Sequence, residues 1–446
     1  MKKIILGSLL TLSLGAQAAK IAVIDSGNDV NHQAIKPYVW ENPFDNLNYQ
    51  DDDGNGYIDD VYGWNFAENN NQVIDYSYLG TLNDNIRKFF EIQAKIIKNE
   101  ASKEEISWLR TIVRDKKFIK KLSIYGNFMH GTHVSGIALR DNDEGKLISI
   151  KLIPTEVKLP SPFSEKSDDS KGLKDQAIKL GLRKLAQQQM VLLSKISNYI
   201  SFHQANVANG SFGTGYKQAK MIIGRISSAM RINLSPEEIK KYSIYFLDQL
   251  ILQGKSMVMS SPRTLFVFAA GNDGSDNDKF PTSPANIDSP NSISVAATLG
   301  RTKLASFSNF GKKTVDIAAP GVSILSAAPG DNYLKVSGTS QAAPYVTNVA
   351  SRIMDINPSL TPKMVKKILM GTVDPKSFLK DIVKSGGVVN LERAVYAAEL
   401  SKTREVDTAI QLSRESIYDS TDFGNEKSDL IDESLIFPVE MPSLIK

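Results

Sequence analysis

What this chain lacks narrows its chemistry first. It has no cysteine in 446 residues. Disulfides, thiolate metal sites, thiol nucleophiles and a lipidated N-terminal cysteine are therefore excluded. Histidine is almost as scarce: His32, His130, His133 and His203 are the four present. Any imidazole chemistry must draw on them. Charge of one sign is also missing, since 53 basic and 49 acidic residues leave a net +4. A nearly neutral chain of this length gives no concentrated basic face, so nucleic acid is not expected as a partner. No stretch approaches the roughly 20 apolar residues that cross a bilayer, so stable membrane insertion is not expected either. Composition is otherwise that of a globular protein, with 41% hydrophobic and 23% charged residues.

The N-terminus carries an address. Lys2 and Lys3 precede an apolar run from Ile4 to Leu14, and Ala16-Gln17-Ala18 supplies a small-x-small pattern. This is the pattern of a Sec signal peptide over 1–18, with the cut expected after Ala18. The mature chain is expected to be secreted or periplasmic. Without cysteine it must hold together by packing, and by metal ions if it binds any.

From residue 20 the pattern alternates between strand and helix. Lys20 to Ile24 is a short β-branched run that ends in Asp25-Ser26-Gly27, the signature of a buried parallel strand delivering an Asp to a loop. Further strands are expected at 147–153, 206–209, 265–269, 292–297 and 314–318. Helices are expected at 175–199, from Ser235-Pro236 onward, and from 340 to about 355. Residues 84–122 read as a surface helical hairpin. There Ile86, Phe89, Phe90, Gln93, Ile96 and Ile97 share one face, and Ser102-x-x-Glu105 forms a capping box. Residues 155–172, rich in Pro, Ser and Gly, read as a loop. The alternation predicts an α/β fold with a central, mostly parallel sheet flanked by helices, one large domain over 19–400. Residues 401–446 hold about ten acidic and five basic residues with little periodicity, and read as an acidic C-terminal extension.

Residues 51–60, DDDGNGYIDD, place Asp51, Asp53, Asn55 and Asp59 at positions 1, 3, 5 and 9 of a calcium loop. Gly56 sits at the sharp turn and the Tyr57 carbonyl offers a further ligand. The twelfth position is Tyr62 rather than a bidentate Glu. An acidic turn without metal is the competing reading.

An Asp at a strand end, a His opening one helix and a Ser opening another suggest nucleophilic acyl transfer, in the chain order Asp, His, Ser. Four motifs carry the order: Ile24-Asp25-Ser26-Gly27, His130-Gly131-Thr132-His133-Val134-Ser135-Gly136, Ala269-Ala270-Gly271-Asn272 and Gly338-Thr339-Ser340-Gln341-Ala342-Ala343-Pro344. Over roughly 20–400 the chain resembles the subtilisin-like serine proteases, the subtilase family S8. The resemblance implies a subtilisin-like three-layer fold and an exported serine endopeptidase, a monomer acting on protein or peptide substrates. It implies Ser340 as nucleophile, His130 as general base and Asp25 as its orienting carboxylate, with no cofactor for catalysis. Asn272 is implied as oxyanion donor, and Ser211-Phe212-Gly213 as a substrate-binding edge strand. His133, His32 and His203 are then expected to be structural.

The chain departs from the family pattern in three places. Gln341 stands where Met is usual. The Asp25 strand begins so soon after the expected cut that no N-terminal propeptide fits, which leaves the C-terminal region or a separate protein to assist folding. Residues 84–122, 155–200 and 215–260 exceed a minimal member. Two rivals remain: a peptide ligase or macrocyclase on the same site, and a catalytically silent binding protein, whose expected signature is a lost catalytic residue.

Overall fold

A computed structural model describes residues 18–156, 171–420 and 433–439. The expected signal peptide and most of the 155–172 loop fall outside the described residues. The strands are β1 (Lys20–Asp25), β2 (Gly63–Asn65), β3 (Lys146–Lys151), β4 (Val207–Gly210), β5 (Leu265–Ala269), β6 (Ser292–Leu299), β7 (Lys303–Leu304), β8 (Ile317–Pro320), β9 (Ile324–Ala328), β10 (Asn332–Val336), β11 (Asp374–Pro375) and β12 (Gly387–Val388). The helices are α1 (Asp84–Ile97), α2 (Lys103–Ile112), α3 (Lys116–Ala138), α4 (Lys171–Phe202), α5 (Tyr216–Ala229), α6 (Pro236–Ser260), α7 (Thr339–Ile356), α8 (Pro362–Gly371), α9 (Leu391–Leu400) and α10 (Val406–Ser416).

One sheet dominates, in the order β11-β12-β8-β6-β5-β4-β1-β3-β2, with β7 attached to β6. Apart from the short β7 and β11 pairings, neighbours run parallel. The expected α/β architecture with a mostly parallel central sheet is the one observed. Both faces are covered, which is why the strands read as near-continuous apolar runs. β1 shows the division. Ile21 and Val23 pack with Val134 and Ala138 of α3 on one side. Ala22 and Ile24 pack with Ile196 and Ile200 of α4 on the other. Strand pleating alone sends alternate side chains to opposite layers.

β1 is also the point where strand order reverses, with β3 on one flank and β4 on the other. Crevices at the C-terminal edge of such switch points are where open α/β sheets bind ligands. The start of β1 is fastened from behind: the Ala19 backbone N–H donates to Asp355 Oδ1 of α7 at 2.6 Å. Burial holds the Asp355 carboxyl above its usual pKa.

Three local outcomes differ from the sequence expectations. The helix bearing His130 starts at Lys116, capped by Asp115, about four turns before His130. It therefore absorbs the end of the expected insertion at 84–122. The hairpin β9–β10 has no counterpart among the expected elements. Residues 406–416 form α10, which seals against α8 and α9, where an unperiodic tail was expected. Its alternation is short, but Val406 and Ala409 are buried.

Candidate active site

Asp25, the last residue of β1, is fully buried. Its Oδ1 accepts the Ser26 backbone N–H at 2.7 Å and the Nδ1–H of His130 at 2.7 Å. Helix α3 reaches this carboxylate because position 131 is glycine: a Cβ there would collide with the Gly27 carbonyl and press on Asp25 Cβ. Thr132 secures the approach by accepting the Asp29 N–H at 2.9 Å. The bond at Nδ1 places the imidazole proton there. Nε2 is left as a bare acceptor with no partner, and His130 is fully buried. A neutral imidazole oriented this way can act as a general base.

Ser340 lies in the first turn of α7, after the extended residue Gly338. The helix dipole favours negative charge there. Its Oγ donates to the Ser211 carbonyl at 3.2 Å, and Ser211 Oγ returns a bond to the Ser340 carbonyl at 3.0 Å. Asn209 and Thr347 extend this buried network, with Thr347 Oγ1 donating to Asn209 Oδ1 at 2.9 Å. The end of β4 and the start of α7 are thereby locked together. Engaging Nε2 requires the serine hydroxyl to leave the Ser211 carbonyl.

Asn272 follows β5. Its Oδ1 accepts the Thr339 N–H at 2.9 Å and the Thr339 hydroxyl at 2.8 Å, so the orientation of the amide is set. Nδ2 points outward and donates to the carbonyl of Val439 at 3.2 Å. The preceding Gly271 has φ +115°, and a Cβ there would strike Asn309. Only glycine lets this turn pass between Asn309 and Thr339. Phe212 is buried in the core between the sheet and α4, while Gly213 lines a small cleft with Met190 and Gly254. Thr214 pairs with Ser283 in an antiparallel bridge that continues this edge.

The structure thus brings Asp25, His130, Ser340, Asn272 and Ser211 to one end of the sheet. One neighbour was not anticipated. Gln341 is fully buried and neither of its amide atoms has a hydrogen-bond partner. A Cβ on Gly338 would lie 2.8 Å from its Oε1 and 3.3 Å from Asn272 Nδ2, which puts the free amide at the rim of the site.

The other histidines are used as spacers and anchors. His133 Nε2 donates to the Leu334 carbonyl at 3.1 Å, and burial pushes its pKa down to about 3. His32 bonds the Asn332 carbonyl at 3.0 Å. Both tie their segments to β10, which is why the β9–β10 hairpin matters to the site. His203 meets the acidic loop: its Nε2 lies 3.2 Å from Asp60 Oδ2. In that loop Asn55 N–H is shared by Asp51 and Asp53, and the Asn55 amide reaches Asp53 and Asp60. Asp59 turns the other way, accepting the Asn48 and Tyr49 N–H groups at 2.9 Å each. The Tyr57 ring packs with Trp64, Phe66 and Tyr199. Asp53, Asp60 and His203 offer ligand atoms within 4.8 Å of one another.

Subtilisin-like protease 1 of Plasmodium falciparum is 27% identical over 402 residues, 88% of this chain and 45% of the relative. An extracellular protease of Xanthomonas campestris is 38% identical over 144 residues, 30% of this chain and 24% of the relative. The chain spans about half the length of the Plasmodium relatives it matches. The crystal structure of a cold-adapted subtilisin-like serine proteinase aligns over 85% of this chain and 89% of its own, at 18% identity and a TM-score of 0.45. The subtilase family model matches residues 16–394. The chain belongs to the subtilase family.

Proposed function

We propose that the protein is an exported serine endopeptidase that hydrolyses peptide bonds through an acyl-enzyme on Ser340. The observation that carries this reading is the 2.7 Å bond from His130 Nδ1 to the buried Asp25, which leaves Nε2 without a partner. In the first step Nε2 takes the Ser340 proton as Oγ bonds to the substrate carbonyl carbon. Asn272 Nδ2 and the Ser340 backbone N–H receive the oxyanion. His130 then returns the proton to the leaving amine, and water repeats the sequence to release the acid. Substrate is bound as an added strand along Ser211-Phe212-Gly213, which recognises backbone more than side chain.

Calcium belongs to the same reading as a stabiliser of the 51–60 loop. The donor set fits a cation, because Asp53 and Asp60 bring their carboxylates together beside His203. Asp51, Asp53, Asn55 and Asp60 would hold it. It would supply loop rigidity, and no step of hydrolysis would pass through it.

A fluorophosphonate probe tests the enzyme. The folded chain should be labelled at Ser340, and Ser340→Ala should not. If neither the full chain nor variants with a more open site are labelled, the reading is wrong. Mass spectrometry of a digested protein substrate should show cleaved peptides; joined peptides would favour a ligase.

A further inference from the structure

The carbonyl held by Asn272 belongs to the chain's own C-terminal region. Leu435 and Ile436 are only 5% and 6% exposed, set into the core beside α1. Gln93 of α1, itself buried, grips the backbone of this segment from both sides. Its Nε2 donates to the Leu435 carbonyl and its Oε1 accepts the Phe437 N–H, each at 2.8 Å. The Phe437 ring lies 6.3 Å from that of Phe89. Val439 then crosses the catalytic end of the sheet. Its N–H donates to the Ser337 carbonyl at 3.1 Å, and its carbonyl takes Asn272 Nδ2 at 3.2 Å. Its side chain faces Gly126 of α3, one turn before His130.

These contacts are of two kinds. Phe437, Pro438 and Val439 form one side of an apolar groove whose other walls include Phe89, Val113, Ile119 and Leu122. The polar contacts are all to backbone, as in the capture of an extended peptide. A groove that holds Leu435 to Val439 through main-chain bonds and apolar contacts is a peptide-binding site. It borders the catalytic serine, three residues from Ser337.

We propose that residues 435–439 are the resident occupant of an apolar peptide groove between α1, α3 and the Ser337 carbonyl, and that substrate engages Asn272 only by displacing them. The proposal rests on Asn272 serving as the oxyanion donor. The N–H of Nδ2 that reaches the Val439 carbonyl is open to a developing oxyanion only once that carbonyl has moved away. A tethered competitor acts at an effective concentration of order millimolar, so weak contacts suffice to keep the groove filled. Residues that enter the groove from a substrate should match the occupant in chemistry, an aromatic side chain followed by proline and a small aliphatic residue.

Two full-chain variants loosen the segment without touching the catalytic residues: Gln93→Ala removes both backbone bonds, and Phe437→Asp puts a charge in the groove. Each should raise the rate of fluorophosphonate labelling at Ser340 by about tenfold or more. A synthetic Leu-Ile-Phe-Pro-Val peptide should slow labelling of Phe437→Asp again. Labelling of both variants at the wild-type rate would overturn the proposal. A second readout needs no catalysis. In a Ser340→Ala background, Val439→Cys supplies the chain's single thiol. It should react with a maleimide about tenfold more slowly than the same thiol with Phe437→Asp added. Equal rates overturn the groove even if Ser340 is inert. A protected thiol in a chain whose serine is never labelled would instead reject the enzyme reading and leave the groove standing.

Discussion

Two polar clusters in this protein are built on opposite plans. At the catalytic end, each group comes from a different element. Asp25 ends β1, His130 lies within α3, Asn272 follows β5 and Ser340 opens α7. Their polar atoms are few, and two, His130 Nε2 and Asp25 Oδ2, are left without a partner. The 51–60 loop does the reverse. It gathers Asp51, Asp53 and Asp60 in one short segment and spreads every carboxylate over several amide donors. The first plan keeps a base available; the second neutralises charge from all sides. On the proposed function, the difference separates the cluster that reacts from the one that holds a conformation.

The largest effect that would sharpen this contrast lies at the catalytic end. Asp25→Asn should keep the fold while lowering kcat by about 10⁴-fold, because an amide can present its N–H to His130 and favour the wrong tautomer. Asn272→Ala should cost about 10²–10³-fold in kcat with little change in KM. Equal losses from substitutions in the acidic loop would break the contrast. Removing calcium should act on stability instead. At about 100 times its Kd, calcium should add about 2.7 kcal/mol, read as a Tm that falls on chelation. In Asp60→Asn the chelator should have no effect on Tm; an undiminished response would place the ion elsewhere.

Two smaller effects test the buried groups around the triad. Burial holds the His133 pKa near 3, below its unfolded value of about 6.5. Its neutral form is thus the one that folds. Stability from this group is complete above about pH 6.5 and is lost as pH falls toward 3, because the unfolded chain takes up the proton first. The slope should be up to about 1.4 kcal/mol per pH unit. His133→Asn should flatten the acid limb of a urea-melt series; an unchanged slope would assign it to other groups. Gln341→Met replaces an unpartnered buried amide with a thioether of similar length. It should stabilise by about 1–3 kcal/mol in thermal or urea unfolding. A loss of stability would mean the amide is satisfied in solution.

Much of this was legible in the sequence because the signals are local. The apolar runs before Asp25, Gly210 and Ala270 announce parallel strands, and small residues beside His130 and Ser340 announce close packing. The helix α3 start was not legible. Gly126 and Gly131 look like breaks, and the Lys-rich turns before them read as surface; tertiary packing carries the helix through both. The β9–β10 hairpin escaped because its strands are only half-buried, so their alternation is faint. In the acidic loop, spacing pointed to Asp59, yet its backbone, at φ +56°, turns that carboxylate away and Asp60 takes the inner position. The segment Leu435 to Val439 is too short for any periodic signal. It is buried through Gln93, 342 residues distant from Leu435 in sequence.

If the chain is exported as proposed and cut after Ala18, the bond between the Ala19 N–H and Asp355 gains a role in maturation. In the uncut chain it is an ordinary peptide N–H facing a buried carboxyl whose second oxygen has no partner. A cut after Ala18 turns that nitrogen into an ammonium. The same contact becomes an ion pair in a buried setting, where charge-assisted bonds are about twice as strong as neutral ones. Removal of the leader would then tighten the first strand onto helix α7, and with it Asp25 and Ser340 at their far ends. Export and final closure of the catalytic domain would be coupled through one nitrogen atom.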